Sequence, residues 1–91
     1  DLEMTKLCAQ AMRCAAEFAQ GYYYDPLHDD AQAMALVKKF DLWLNINTVE
    51  GGKRRWYARP AYSRIFSGNA DLNRAIVECV AKMQAGLNHN I

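Results

Sequence analysis

The fold of this chain is decided by the stretch LWLNINTVEGGKRRWYARP, residues 42–60. In its first part apolar and polar residues alternate with a period of two, which predicts a strand with one apolar side. Gly51 and Gly52 then permit a tight reversal, and Pro60 ends the second strand or marks an edge. The stretch therefore predicts an antiparallel β-hairpin.

Each strand of this hairpin has two faces that differ in character. In the second strand, one face carries Arg54, Trp56 and Ala58 and the other carries Arg55, Tyr57 and Arg59. We expect the face with Arg54, Trp56 and Ala58 to be the buried one. In the first strand, Trp43 lies opposite the apolar row of Leu42, Leu44 and Ile46. If helices cover one face of the sheet, Trp43 is an exposed anchor, and if they cover both it belongs to the core.

Three segments outside the hairpin have the apolar spacing of amphipathic helices. The first runs from Asp1 to about Ala19, the second from Asp29 or Asp30 to about Phe40, and the third from Asn69 or Asp71 to about Gln84. The apolar stripe of each helix is predicted to face the core. The three stripes are Met4, Leu7, Ala11, Cys14 and Phe18; Ala33, Met34, Val37 and Phe40; and Leu72, Ala75, Ile76, Cys79, Val80 and Met83.

Residues 62–69 offer an optional third strand, through Ile65 and Phe66, before Ser67, Gly68 and Asn69 break the pattern. We therefore predict an α+β fold in which three helices pack on a small antiparallel sheet, in the order α-α-β-β-(β)-α. A chain of 91 residues fits one domain, spanning residues 1–91.

Net charge, the length of apolar runs and the cysteine pattern limit the partners and the compartment that we expect. The formal net charge is +1, so any attraction to nucleic acid or to an acidic membrane must come from local clustering. No apolar run approaches the roughly 18 residues that cross a bilayer, and no membrane partner is expected. The three cysteines form no C-x-x-C pair, which favours a reducing cytoplasm over a disulfide scaffold or a zinc module.

Candidates for catalysis have simpler structural explanations. His28 beside Asp29 and Asp30 suggests a general base or half of a metal site, but capping of the second helix already explains both carboxylates. The cysteines fall on or beside the buried stripes of helices, where a thiol acts as a small hydrophobe. Motifs for nucleophilic, phosphate-binding or zinc chemistry are absent from the sequence. We therefore expect no enzymatic activity, no cofactor and no metal.

The most functional pattern is a basic and aromatic segment, residues 53–64, which holds five of the eleven basic residues and no acid. Arginine and aromatic side chains dominate protein interfaces, and they also bind phosphates and stack on bases. A protein partner and a nucleic acid both remain open, as does a purely solubilising role at an exposed edge. The predicted partner-binding residues are Trp43, Arg54, Arg55, Tyr57, Arg59, Tyr62 and Arg64.

Three segments carry a resemblance to a known group of proteins: LCAQAM at 7–12, PLHDDAQAMALVKKF at 26–40 and DLNRAIVECVAKMQ at 71–84. They resemble small accessory proteins of tailed phages and prophages, including the phage alpha-beta-alpha sandwich domain. Those proteins carry a glycine where Arg13 stands here, and residues 13–25 and 49–68 are unmatched. The family has no assigned catalytic residues to carry over.

The resemblance implies a non-enzymatic phage accessory protein that acts in the cytoplasm of a bacterial host. Its partner would be a host protein or complex, for example a component of defence, which the chain would inhibit, or of replication. Whether the chain acts as a monomer or a homodimer stays open. Nucleic-acid binding by residues 53–64 is the alternative. Because the hairpin lies in an unmatched segment, we expect the choice of partner to depend on it.

Overall fold

The computed structural model describes residues 2–12, 24–48, 51–61 and 64–89. Its elements are α1 (Leu2–Ala11), α2 (Asp30–Phe40), β1 (Leu42–Thr48), β2 (Arg54–Pro60), β3 (Ser67–Asn69) and α3 (Leu72–His89). The predicted α+β class and the order α-α-β-β-β-α are confirmed. The continuation of the first helix from 13 to 19 lies outside the described residues.

The hairpin forms as its sequence predicts. β1 and β2 pair antiparallel without a bulge, from Leu42 opposite Pro60 to Thr48 opposite Arg54. Gly51 and Gly52 have φ angles of 88° and 78°, which L-residues with side chains rarely adopt. The two glycines therefore supply the reversal that brings the strands together.

The third strand lies where the sequence pattern had been expected to break. β3 comprises Ser67–Asn69, whereas Ile65 and Phe66, for which the sequence left a strand open, precede it outside any strand. Pairing with β2 creates this strand, since Ala58 lies opposite Ser67 and Tyr57 opposite Gly68. The sheet order is β1-β2-β3.

A polar contact fixes β3 to the following helix. The hydroxyl of buried Ser67 donates a 2.8 Å hydrogen bond to Oε2 of Glu78. Arg74 Nε donates to Oε1 of the same carboxylate at 2.9 Å. Glu78 thus has a partner on each oxygen, and the short strand is held against α3.

α2 begins and ends where its sequence signals are. The side chain of Asp29 caps the helix by accepting from the amides of Ala31 at 2.9 Å and Gln32 at 3.1 Å. Its buried side agrees with the prediction at Ala33, Val37 and Phe40 but not at Met34. Ala33 and Leu36 are buried, while Met34 is 40% exposed. The stripe is rotated toward Leu36 because α2 packs on both α3 and β1.

α3 continues through Gly86 to His89, so the predicted end near Gln84 is wrong. Gly86 is not among the glycines with positive φ, and a glycine outside that conformation does not stop a helix. The start of α3 has the signals that the sequence predicts. The amide of Asp71 donates a hydrogen bond to the side-chain oxygen of Asn69 at 2.9 Å.

α3 is the centre of the core. Besides Ala75, Ile76, Cys79 and Val80 on the predicted stripe, it buries Val77 and Ala81. Val77 and Ala81 are buried because α3 contacts α1 as well as β2 and β3. In α1 the fully buried residues are Cys8 and Ala9, and the predicted Met4, Leu7 and Ala11 lie partly buried beside them. None of the helices in the described residues is long and apolar enough to cross a membrane.

Truncation of Leu36 tests this packing. Leu36 is fully buried where α2 meets the rest of the core. Leu36→Ala should lower the free energy of unfolding by about 2–5 kcal/mol, because it removes buried apolar surface and leaves a cavity. Urea unfolding measures the change. Leu87→Ala is the control, since Leu87 is 62% exposed and its loss should cost under about 0.5 kcal/mol. Equal losses in the two variants would contradict the described core.

Candidate binding surface on the sheet

One face of the sheet packs on the described helices, and the other face does not. Leu42 and Ala58 are buried in the core, and Leu44 and Trp56 pack against it, so this inner face carries the helices. The alternate residues form the surface that we call the outer face: Trp43, Asn45 and Asn47 of β1, Arg55, Tyr57 and Arg59 of β2, and Gly68 of β3. Burial thus selects the face of β2 that the sequence analysis favoured.

Trp43 is exposed. The residue is 55% accessible, so it does not belong to the core. The strand register places it opposite Arg59, and the Arg59 guanidinium carbon lies 4.8 Å from the centroid of the Trp43 ring. A cation–π contact of this kind contributes about 0.5–1 kcal/mol at an exposed site. The pair presents an aromatic ring and a positive charge at one place.

Arg55 and Tyr57 are positioned by β3. Arg55 Nη2 donates a 2.9 Å hydrogen bond to the carbonyl oxygen of Gly68. A Cβ atom at position 68 would lie 2.7 Å from Tyr57 Cε1, closer than van der Waals contact allows. Only glycine therefore lets the Tyr57 ring lie on the strand. Gly68 was not among the predicted site residues, because its role depends on pairing between strands.

A groove of about 490 Å³ crosses this surface. Its lining combines aromatic rings, guanidinium groups and one amide, contributed by Trp43, Leu44, Asn45, Tyr57, Arg59, Arg64 and Phe66. Phe66 is 58% exposed, and the loop that carries it is held by Lys82, whose Nζ donates to the Phe66 carbonyl oxygen at 3.1 Å. The sequence analysis did not include Phe66 or Asn45 among the site residues. The segment that positions Phe66 has no regular pattern.

The predicted partner-binding residues are only partly brought together. Trp43, Tyr57, Arg59 and Arg64 line the groove, and Arg55 lies beside it on the outer face. Arg54 does not join them, because it pairs with Thr48 at the end of the hairpin and occupies an inner-face position. Tyr62 lies outside the described residues.

Among the described residues, no carboxylate forms an ion pair with the arginines of the outer face. In the described part of the chain, the ion pairs are His28 with Asp25 and Arg74 with Glu78, and neither involves the outer face. Arg55 and Arg59 instead contact a backbone carbonyl and an aromatic ring, so no carboxylate in the described part of the chain pairs with either of them. The surface is therefore suited to an anionic or electron-rich group.

His28 has a local structural role. Its Nδ1 lies 2.8 Å from Oδ2 of Asp25, and the imidazole is 80% exposed. Asp29 is occupied by capping, and Asp30 accepts a 2.8 Å hydrogen bond from Asn73. Within the described ranges, no three potential metal ligands lie together. The contact with Asp25 holds the imidazole in the turn that precedes α2.

The described cysteines are core residues. Burial raises the pKa of the Cys8 thiol to about 12, with nearby Cys79 adding to the rise. Burial raises the pKa of Cys79 to about 11, although Lys82 acts in the opposite direction. Cys8 Sγ also contacts the Val77 carbonyl oxygen at 3.4 Å, where α1 meets α3. Neither thiol is a good nucleophile. Cys14 lies outside the described residues.

Comparisons of the chain with models of protein families, with curated proteins and with solved structures find no match.

Thiol alkylation tests the burial of Cys8 and Cys79. At pH 8 both thiols should remain protonated in the folded protein, since their raised pKa values lie well above that pH. Iodoacetamide should label them much more slowly in the native protein than in urea, as measured by peptide mass spectrometry. Native labelling of either cysteine at the rate seen in urea would contradict the described packing.

Proposed function

We propose that this chain is a non-catalytic protein-binding module whose outer face binds an acidic surface of another protein. The observation that supports this most is the grouping of Trp43, Tyr57, Arg55 and Arg59 on one exposed sheet face, with no carboxylate partner among the described residues. Tryptophan, tyrosine and arginine are the residues that contribute most to binding at protein interfaces.

The geometry favours a rigid, preformed site. Trp43 and Arg59 contact each other, and Tyr57 and Arg55 are both fixed against Gly68. Side chains already held in place lose less conformational entropy on binding, which improves affinity for the same contacts. A partner that offers carboxylates to the guanidinium groups and an apolar side chain to the groove would satisfy this surface.

We also propose that the chain acts inside a bacterial cell. The resemblance of residues 7–12, 26–40 and 71–84 to phage accessory proteins suggests a chain that acts inside a bacterial host, on a protein or complex such as a defence system. The resemblance concerns segments that form or flank helices, whereas the outer face lies largely in the hairpin between them. The hairpin would therefore determine which partner is bound.

Nucleic acid is the competing partner, because arginine beside aromatic rings also suits phosphates and bases. Two features favour protein. The Arg59 guanidinium lies over the Trp43 ring, and the Tyr57 ring rests on Gly68, so each ring offers a base at most one free face. The formal net charge of +1 also supplies little of the long-range attraction on which nucleic-acid binding depends.

Affinity capture with matched variants tests the proposal. Tagged wild type, Trp43→Ala, Arg59→Glu and Lys6→Glu would each be incubated with nuclease-treated bacterial lysate, and captured proteins identified by mass spectrometry. Lys6 is an exposed cation of α1, so Lys6→Glu is the control for charge reversal. A partner recovered with wild type should bind the control equally and both outer-face variants at least about tenfold more weakly.

Two outcomes would contradict the proposal. The first is a partner whose dissociation constant, measured with purified components, is the same for wild type, Trp43→Ala and Arg59→Glu. The second is retardation of DNA or RNA in gels that falls steeply with salt and is lost in Arg59→Glu, without any protein partner. That result would establish the nucleic-acid alternative.

A further inference from the structure

Within the described ranges, β1 is an edge strand that contains no charge, proline or bulge to hinder pairing. The sheet order puts β2 on one side of it, and among the described residues no strand lies on the other. Its seven residues, LWLNINT, include no charge and no proline, and its register with β2 contains no bulge. Native edges are generally blunted by such features, because an open row of backbone amides and carbonyls pairs readily with another strand.

The opposite edge of the sheet is different. β3 has only three residues, and α3 packs against it. Short edge strands offer little to a second strand. The open edge is thus confined to β1, where five of the seven residues are exposed.

We propose that β1 pairs antiparallel with β1 of a second copy of this chain, which forms one continuous six-stranded sheet. This inference is independent of the function proposed above. The strand is self-complementary when the two-fold axis passes through Asn45. Leu44 then lies opposite Ile46 of the partner subunit on the inner face, and Trp43 lies opposite Asn47 of the partner subunit on the outer face.

The apolar residues of β1 give this register a driving force. Ile46 has an inner-face position yet remains 38% exposed, and Leu44 is only partly buried. Leu44 packs against the core without being fully covered, and Ile46 is more exposed. Antiparallel pairing about Asn45 would place each of them beside an apolar residue of the other copy, and directly opposite pairs on one face stabilise a sheet.

Repulsion between the arginines of the two outer faces would be weak in this arrangement. The cationic residues of the outer face lie on β2, one strand away from the new contact. Adjacent strands are about 4.8 Å apart, so the β2 strands of the two copies would be separated by about 14 Å. That distance exceeds the Debye length of about 8 Å at physiological ionic strength. The uncharged strand β1 supplies no repulsion of its own.

The two-fold axis would run perpendicular to the sheet, so both outer faces would point the same way. Such an isologous contact is closed, and assembly stops at the dimer. The pair would present two copies of the Trp43 and Arg59 surface on one side.

Sedimentation velocity over a wide range of protein concentration tests the proposal. Wild type should shift toward the dimer as concentration rises. Ile46→Lys, an inward-pointing charge on the edge, should raise the dimer dissociation constant by at least about tenfold. Met34→Lys is the matched control, because Met34 on α2 is 40% exposed against 38% for Ile46, and it should dimerise like wild type.

Hydrogen exchange of the wild type gives a second measurement that does not depend on any variant. Amides within residues 42–48 that point away from β2 should exchange more slowly at high than at low protein concentration. A wild type that stays monomeric at every concentration would overturn the proposal. So would dimerisation that Ile46→Lys leaves unchanged, or exchange in residues 42–48 that is independent of concentration.

Discussion

The burial of α3 on two sides is the interaction on which the rest of the structure depends. One side packs on β2 and β3, and the other receives α1 through Cys8 and Val77. α2 completes the layer against β1. Because these contacts gather the described helices on the inner face, Trp43 on the opposite face keeps 55% of its surface exposed. The candidate binding surface is thus a consequence of how the core is built.

The acidic and basic residues are used differently in this fold. Asp29 caps α2, Asp30 accepts from Asn73, and Glu78 binds both Ser67 and Arg74. These carboxylates stabilise helix ends and the contact of β3 with α3. Arg55 and Arg59, in contrast, contact a carbonyl and a ring. A nearly neutral chain can in this way present a cationic surface, which overall charge alone does not reveal.

Much of this architecture could be predicted from the sequence, because local patterns decide it. The period of two in residues 42–46 predicts β1, and Gly51 with Gly52 predicts the reversal. Features that depend on tertiary contacts were missed: β3 forms at Ser67–Asn69 through pairing with β2, and Val77 is buried because α1 covers it. At the surface, the arginine and aromatic types were visible, but Phe66 and Gly68 enter only through the placement of the loop and β3.

The central claim, that the outer face of the sheet is open to a partner, is tested most directly by the two tryptophans of the chain, one on each face. Trp56→Phe leaves Trp43 as the only indole, and Trp43→Phe leaves Trp56. At low protein concentration, acrylamide should quench the fluorescence of Trp43 efficiently and its emission should lie at longer wavelength than that of Trp56, which packs against the core. Equal quenching of both, or a Trp43 better shielded than Trp56, would contradict the account.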